Sequence, residues 1–202
     1  MPSDTLVQQL AFLREIDRLK SVIRQSPLLD GSRKENSAEH SWHLAMYGLL
    51  LREHASSGVD SERVIKMLLI HDIVEVDVGD TPLHGGSSPT MQAELEHKAA
   101  CRLFGLLPEP QGSEFLELWQ EFEEGDSEDA RFAKALDRVQ PLIANVLTGG
   151  GTWSDGRVDL IQVLEKYGPT IRRGSPVLWS ACEAMVREHF ARDRPPSRTG
   201  SA

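Results

Sequence analysis

The sequence lacks a long apolar run, a cysteine framework and an excess of positive charge. No apolar segment reaches the roughly 20 residues of a membrane span, and the N-terminus has no apolar signal-peptide core. These absences predict a cytoplasmic protein without a membrane anchor. The net charge of -9 disfavours long nucleic acids as partners, because a negative field repels phosphate backbones. A small phosphorylated substrate is compatible with this charge if its site carries cations.

Cysteines are few and do not form a recognisable zinc framework. Cys101 and Cys182 stand far apart, each within a segment of helical patterning. We therefore expect both to be buried, reduced thiols rather than metal ligands or disulfide partners.

Helical patterning is present almost everywhere. Apolar residues recur at spacings of three and four, and no strand signal is longer than a few residues. With 202 residues the chain can bury one core, so we predict an all-α protein with one domain over 1–193 and a disordered tail over 194–202. The predicted helices span about 4–24, 36–55, 60–76, 90–106, 113–124, 127–147, 158–167 and 176–191.

The most informative stretch places His71 and Asp72 inside the apolar run 67–74. An ionised carboxylate in a buried helix is costly unless it is paired or binds a metal. Taken alone, the pair is equally compatible with a structural Asp–His hydrogen bond. Glu75 follows one helical turn later, and Asp80 opens the loop 78–89, which is rich in glycine and proline. Four acid–base groups within ten residues favour a functional site.

Asp137 can be placed from the periodicity of its predicted helix. At about 100° per residue it points away from the main apolar stripe and into a patch of alanines. Another helix or a metal site can approach closely there. The alternative is a solvated carboxylate beside Arg138.

Two histidines compete for a place beside these groups. His40 shares a helix face with Leu44, and His43 lies one turn further on, near the same face. Spacing alone does not decide which one points into a site and which one is a core histidine. Two imidazoles and two carboxylates suit one divalent ion such as Mn, Co, Ni, Fe or Zn. A water bound to such an ion is a competent nucleophile toward phosphorus.

These residues resemble a known family. The order His40, then His71-Asp72, then Asp137 is similar to the H…HD…D signature of the HD-domain phosphohydrolases. The flanking segments resemble the branch that contains bacterial 5'-deoxynucleotidases, over roughly residues 10–190. The matching segments are Glu35-Asn36-Ser37-Ala38-Glu39-His40-Ser41, His71-Asp72-Ile73-Val74-Glu75, Gly79-Asp80-Thr81-Pro82 and Lys134-Ala135-Leu136-Asp137-Arg138.

The resemblance implies a helical HD fold, a homodimer, and a role for each candidate residue. It implies a metal held by His40, His71, Asp72 and Asp137, and so selects His40 over His43. It also implies that Glu75 is the general acid–base group and that Asp80 orients water or the sugar. Arg24, expected at the end of the first helix, matches a phosphate-binding arginine. A solvated helix end is the alternative for Arg24.

One departure from the family pattern concerns the sugar. In the deoxynucleotidases the arginine is followed directly by a tryptophan, whereas here Gln25-Ser26-Pro27 follow Arg24. The expected activity is hydrolysis of nucleoside or deoxynucleoside 5'-monophosphates. The alternatives are di- or triphosphates or cyclic nucleotides at the same site, a nucleotide-sensing module with a vestigial metal site, or a purely structural helical protein. Glu75 and Asp80 beside a full ligand set argue against the last two.

Overall fold

The computed structural model describes residues 3–81 and 88–192, and these residues are predominantly helical, as predicted. The predicted tail and half of the predicted loop over 78–89, residues 82–87, lie outside the described residues. The helices are α1 (Asp4–Ile16), α2 (Ser37–Leu51), α3 (Ser61–Ile70), α4 (Glu75–Val78), α5 (Pro89–Phe104), α6 (Gln111–Glu124), α7 (Glu128–Leu147), α8 (Gly151–Gly156), α9 (Leu160–Gly174) and α10 (Pro176–Arg192). Short 3-10 segments cover Asp17–Ser21, Arg52–His54 and His71–Val74.

The first predicted helix is too long, because a β-hairpin replaces its last turn. Strand β1 (Ile23–Pro27) pairs antiparallel with β2 (Lys34–Asn36). β-branched Val22 and Ile23 favour an extended backbone, and Gly31 adopts the positive φ of 70° that the connecting turn requires. Arg24 therefore lies on a strand rather than at a helix end.

Helix α2 is central, as its apolar pattern predicts. Asn36 and Glu39 form a reciprocal capping box that fixes where the helix begins. Helix α2 packs against both α3 and α7, so His40, Ser41 and Leu44 are buried.

The predicted helix over 60–76 is interrupted at His71, the first of the two adjacent candidate ligands. Asp60 caps α3, but α3 ends at Ile70. The 3-10 turn His71–Val74 then redirects the chain into the single-turn helix α4. Trp119 of α6 supports this turn by donating its indole N–H to the His71 carbonyl, 3.2 Å away.

The core lies mainly between α7 and its neighbours α3, α9 and α10. Helix α7 agrees with the predicted 127–147 helix, and Ser127 caps it. Helix α9 continues through Pro169 to Gly174, beyond the predicted end at 167. A Cβ at Gly174 would collide with the Arg131 backbone, so glycine permits α9 to approach α7 closely.

Two further expectations are settled by the fold. Cys182 is buried as predicted, but Cys101 lies on the exposed side of α5, so its predicted burial is wrong. Neither cysteine is in a disulfide. Among the described helices, none combines the length and apolar character needed to cross a membrane.

Candidate functional site

Three parts of the chain bring the candidate metal ligands together. His40 comes from α2, His71 and Asp72 from the 3-10 turn, and Asp137 from α7. His40, His71 and Asp72 each offer one ligand atom, and these atoms lie within 4.8 Å of one another. The Asp137 Oδ1 atom lies 3.1 Å from His40 Nε2 and 3.7 Å from His71 Nε2. We call these four residues the cluster.

Both imidazoles are oriented by hydrogen bonds on their far side. The Nδ1 atom of His71 lies 3.0 Å from the Leu68 carbonyl oxygen, and that of His40 lies 3.2 Å from the Gln140 side-chain oxygen. An Nδ1–H donor in each ring leaves the Nε2 lone pair facing the cluster, which is the orientation of a metal-bound histidine. His71 Nε2 faces two of the candidate ligand carboxylates, at 3.0 Å from Asp72 Oδ1 and 3.7 Å from Asp137 Oδ1.

The pKa shifts of His40 and Asp137 show that the cluster favours bound positive charge. Burial and the Arg24 charge lower the pKa of His40, but hydrogen bonds to Asp137 and Glu35 outweigh them and raise it to about 9. Burial raises the pKa of Asp137, yet the Arg138 charge and the hydrogen bonds from both histidines hold it well below its usual range. Without a metal ion, a proton on His40 compensates part of the negative charge of the cluster carboxylates. A divalent ion can replace that proton, so the residues present fit a metal.

His43 is not part of the cluster. Its ring is half-buried beside Trp42 and Tyr47, at centroid distances of 5.9 and 5.0 Å. Burial lowers the pKa of His43. The choice that spacing left open therefore has a geometric answer, because His40 alone of the two faces Asp137.

Glu75 and Asp80 lie beside the cluster, and both are mostly buried. The Ser37 hydroxyl donates a hydrogen bond to Glu75 Oε2. Burial and the Asp72 charge raise the pKa of Glu75 to about 8. Burial also raises the pKa of Asp80, while Arg24 opposes that shift. Glu75 can therefore hold a proton near neutral pH.

Arg24 is the cation that joins these acids. Its Nη1 atom lies 2.8 Å from Asp72 Oδ2, 3.6 Å from Glu75 Oε1 and 3.5 Å from Asp80 Oδ1. Its Nε atom lies 3.6 Å from Glu35. The alternative prediction, in which Arg24 is a solvated helix end, is therefore wrong. Arg24 is already surrounded by carboxylates, and any phosphate at this place has to share it with them.

Four residues of this site have no role that their sequence pattern predicts. Glu35 and Gln140 support His40, Ser37 contacts Glu75, and Arg138 forms an ion pair with Asp137 at 3.4 Å. Gln140 lies one turn after Asp137, which is a usable signal for a shared helix face. Glu35 is only 3 % exposed, and its local sequence gives no sign of such burial.

Two adjacent cavities open onto the site. The cluster cavity, of about 290 Å³, is lined by His71, Asp72, Glu75 and Asp137 among others. The side cavity, of about 420 Å³, lies between β1, α7, α8 and α9. Four residues line both: Arg24, Asp80, Thr81 and Arg138.

A family model described as "HD domain" matches residues 16–179, which include every candidate site residue. The chain belongs to the HD domain family. Its adjacent His71 and Asp72 stand on the 3-10 turn, and the predicted HD fold and family resemblance are confirmed.

The chain is similar to proteins from distantly related organisms. It is 49 % identical to a solved structure titled "Predicted metal-dependent phosphohydrolase" from Magnetospirillum magnetotacticum MS-1, with a TM-score of 0.88 over 94 % of this chain and 97 % of that one. It is 30 % identical over 135 residues to mouse 5'-deoxynucleotidase HDDC2, covering 66 % of each chain. A conserved hypothetical protein from Pyrococcus furiosus, 21 % identical over 89 % of this chain and 99 % of that one with a TM-score of 0.60, shares the fold.

Proposed function

We propose that this HD domain is a metal-dependent phosphohydrolase that releases phosphate from nucleoside or deoxynucleoside 5'-monophosphates. The observation that carries the proposal is the facing arrangement of two Nε2 atoms and two carboxylates beside a buried acid and two arginines. The names of the mouse and Magnetospirillum relatives support the reaction class.

The proposed cofactor is one divalent ion, from the group Mn, Co, Ni, Fe and Zn, held by His40, His71, Asp72 and Asp137. Mixed imidazole and carboxylate ligands support this group of metals. When bound, such an ion polarises the phosphoryl oxygens and lowers the pKa of a water molecule.

The remaining steps belong to side chains of this chain. In hydrolysis the water loses one proton as its oxygen bonds to phosphorus, the bond from phosphorus to the nucleoside oxygen breaks, and the nucleoside oxygen takes up one proton. Glu75 is the proposed general acid–base group, because its raised pKa keeps a proton available inside the site. Asp80 is proposed to orient water or the sugar, and Arg24 to contact the phosphate.

A metal-by-substrate hydrolysis screen on chelator-stripped protein tests this proposal. We expect activity to return with one or more of the five metals and to release inorganic phosphate from nucleoside monophosphates. Turnover of di- or triphosphates or cyclic nucleotides instead would favour the alternative substrates. Nucleotide binding without turnover under every metal would favour a sensing module.

Three further expectations stay predictions: a homodimer, a cytoplasmic location and a domain that spans 1–193. The apolar side chains that α1 exposes support the first, because contiguous apolar patches often mark protein–protein contacts. They are Leu6, Val7, Leu10 and Leu13. Sedimentation equilibrium measures the oligomeric state directly, and a monomer would contradict it.

A further inference from the structure

The side cavity has the size and the position of a second half of the substrate site. Its volume of about 420 Å³ lies within the range of about 300–1,000 Å³ typical of small-molecule sites. It meets the cluster cavity at Arg24, Asp80, Thr81 and Arg138. The two cavities therefore lie side by side, so a group attached to a phosphate at the cluster would lie next to the side cavity.

Arg138 marks the boundary between the two cavities with a cation that is more accessible than Arg24. Its side chain is 33 % exposed, against 12 % for Arg24. Arg24 is surrounded by Asp72, Glu75 and Asp80, whereas Arg138 is paired with Asp137. A guanidinium in this position can contact a phosphate that enters between the cavities.

The far wall of the side cavity combines apolar side chains with a fixed backbone. Tyr167 lines it but is only 3 % exposed and packs edge-on against Trp153, whereas the partly exposed Pro141 and Val158 offer apolar surface to a ligand. Asn145 accepts hydrogen bonds from the Thr152 backbone N–H at 2.7 Å and hydroxyl at 2.9 Å, which holds α8 against α7. Asp155 of α8 adds an exposed acceptor for donors on a base or sugar.

We propose that the side cavity binds the base and sugar of a nucleotide while its phosphate lies at the cluster, with Arg138 in contact with that phosphate. This inference rests on the proposed function, since it assigns the leaving group of the same reaction. A cavity this large is unnecessary for the phosphate alone, and its apolar surface at Pro141 and Val158, together with the Asp155 acceptor, suits a nucleoside better than a second phosphate.

The test compares two substrates that share a phosphate and differ in the leaving group, dAMP and phenyl phosphate. Gly156→Leu adds a side chain on the cavity wall, where a Cβ would lie 3.3 Å from the adaptable Val158 side chain. Gly156→Ala is the matched control, with nearly the same backbone restriction but little added volume. We expect Gly156→Leu to lower kcat/KM for dAMP by about tenfold or more, the scale of a lost packing contact. Phenyl phosphate turnover should stay within about twofold, and Gly156→Ala should resemble wild type with both substrates.

A second variant keeps the test decisive if Gly156→Leu does not fold. Asp155→Arg extends a long side chain from an exposed position on the same wall, and the same selective loss is expected. Deoxyadenosine binding to the full-length protein, measured by calorimetry, should weaken in parallel.

An equal loss on both substrates, or no loss on dAMP, would overturn the assignment of this cavity. Phenyl phosphate turnover without any nucleotide turnover would also overturn it, whereas no turnover of either substrate by wild type would refute the proposed function itself.

Discussion

Glu75 shows at the scale of one residue how burial prepares a carboxyl group for proton transfer. We expect Glu75→Gln to keep the bound metal and to slow turnover by about 10²–10⁴-fold, the usual contribution of a general acid–base group. Glutamine preserves the shape and can still accept from Ser37, but it cannot transfer a proton. Steady-state kinetics with elemental analysis of bound metal measures both effects.

Asp77→Asn is the matched control for this prediction. Asp77 lies two residues away on α4, and its carboxylate pairs with Arg102 rather than with the cluster. We expect this variant to keep wild-type turnover. Activity of Glu75→Gln within a few-fold of wild type would show that Glu75 has a structural role only.

Arg24 is the second residue whose proposed role can be separated from its surroundings. We expect Arg24→Ala to lower kcat/KM ten- to a hundred-fold, since a charge-assisted contact is worth about 1.5–3 kcal/mol. Bound metal should stay at one ion per chain. Arg33→Ala, which removes an exposed arginine of the same hairpin, is the control. Loss of the metal instead would mean that Arg24 positions Asp72 and its neighbouring acids.

At the scale of elements, the β1–β2 hairpin determines which side chain lies beside the proposed position of the sugar. Gln25 is exposed, and its side-chain oxygen accepts a hydrogen bond from Lys34 at 2.6 Å. No bulky aromatic follows Arg24 at this point of β1, so we expect AMP and dAMP to be turned over with kcat/KM values within about tenfold. Paired kinetics measures this ratio, and Gln25→Trp should raise the preference for dAMP. A strong dAMP preference in wild type would place the discriminating wall elsewhere.

The elements also show how much of the site the sequence can predict. The apolar pattern of α2 places His40 and His43 near one face without choosing between them, and the pattern of α7 places Asp137 away from its main apolar stripe, among alanines. The 3-10 turn at His71 is not predictable in this way, because an apolar run reads as one continuous helix until packing against Trp119 and α2 bends it.

Short elements were missed for a related reason. Strands β1 and β2 are too short for a clear alternation, and their pairing depends on the turn between them. Helix α8 has six residues and begins at Gly151, the last of three consecutive glycines that follow α7. All three glycines have positive φ, so the same residues also turn the chain into a new helix. The side cavity is lined by residues of both strand β1 and helix α8, and the sequence predicts neither element.

At the scale of the whole molecule, a metal at the cluster would join segments that are far apart in sequence. His40 and Asp137 are separated by 97 residues and belong to α2 and α7, while His71 and Asp72 lie between them. A ligand that binds only the folded state raises its stability by about 2.7 kcal/mol at 100 times its Kd. For a domain of this size each kcal/mol shifts Tm by about 2–4 °C. We therefore expect the preferred metal to raise the Tm of chelator-stripped protein by about 5–11 °C at that concentration.

The same melting experiment on Asp72→Asn isolates the contribution of the ligand set. Asparagine keeps the size of the side chain but removes the charge that offsets a dication, so the metal-dependent rise in Tm should disappear. Asp77→Asn should keep the full rise, because Asp77 faces Arg102. A rise that persists in Asp72→Asn would place the metal at another set of residues. If none of the five metals changes the Tm of the wild-type protein, the cluster does not bind them. The four residues would then be structural, with a protonated His40 paired with Asp137.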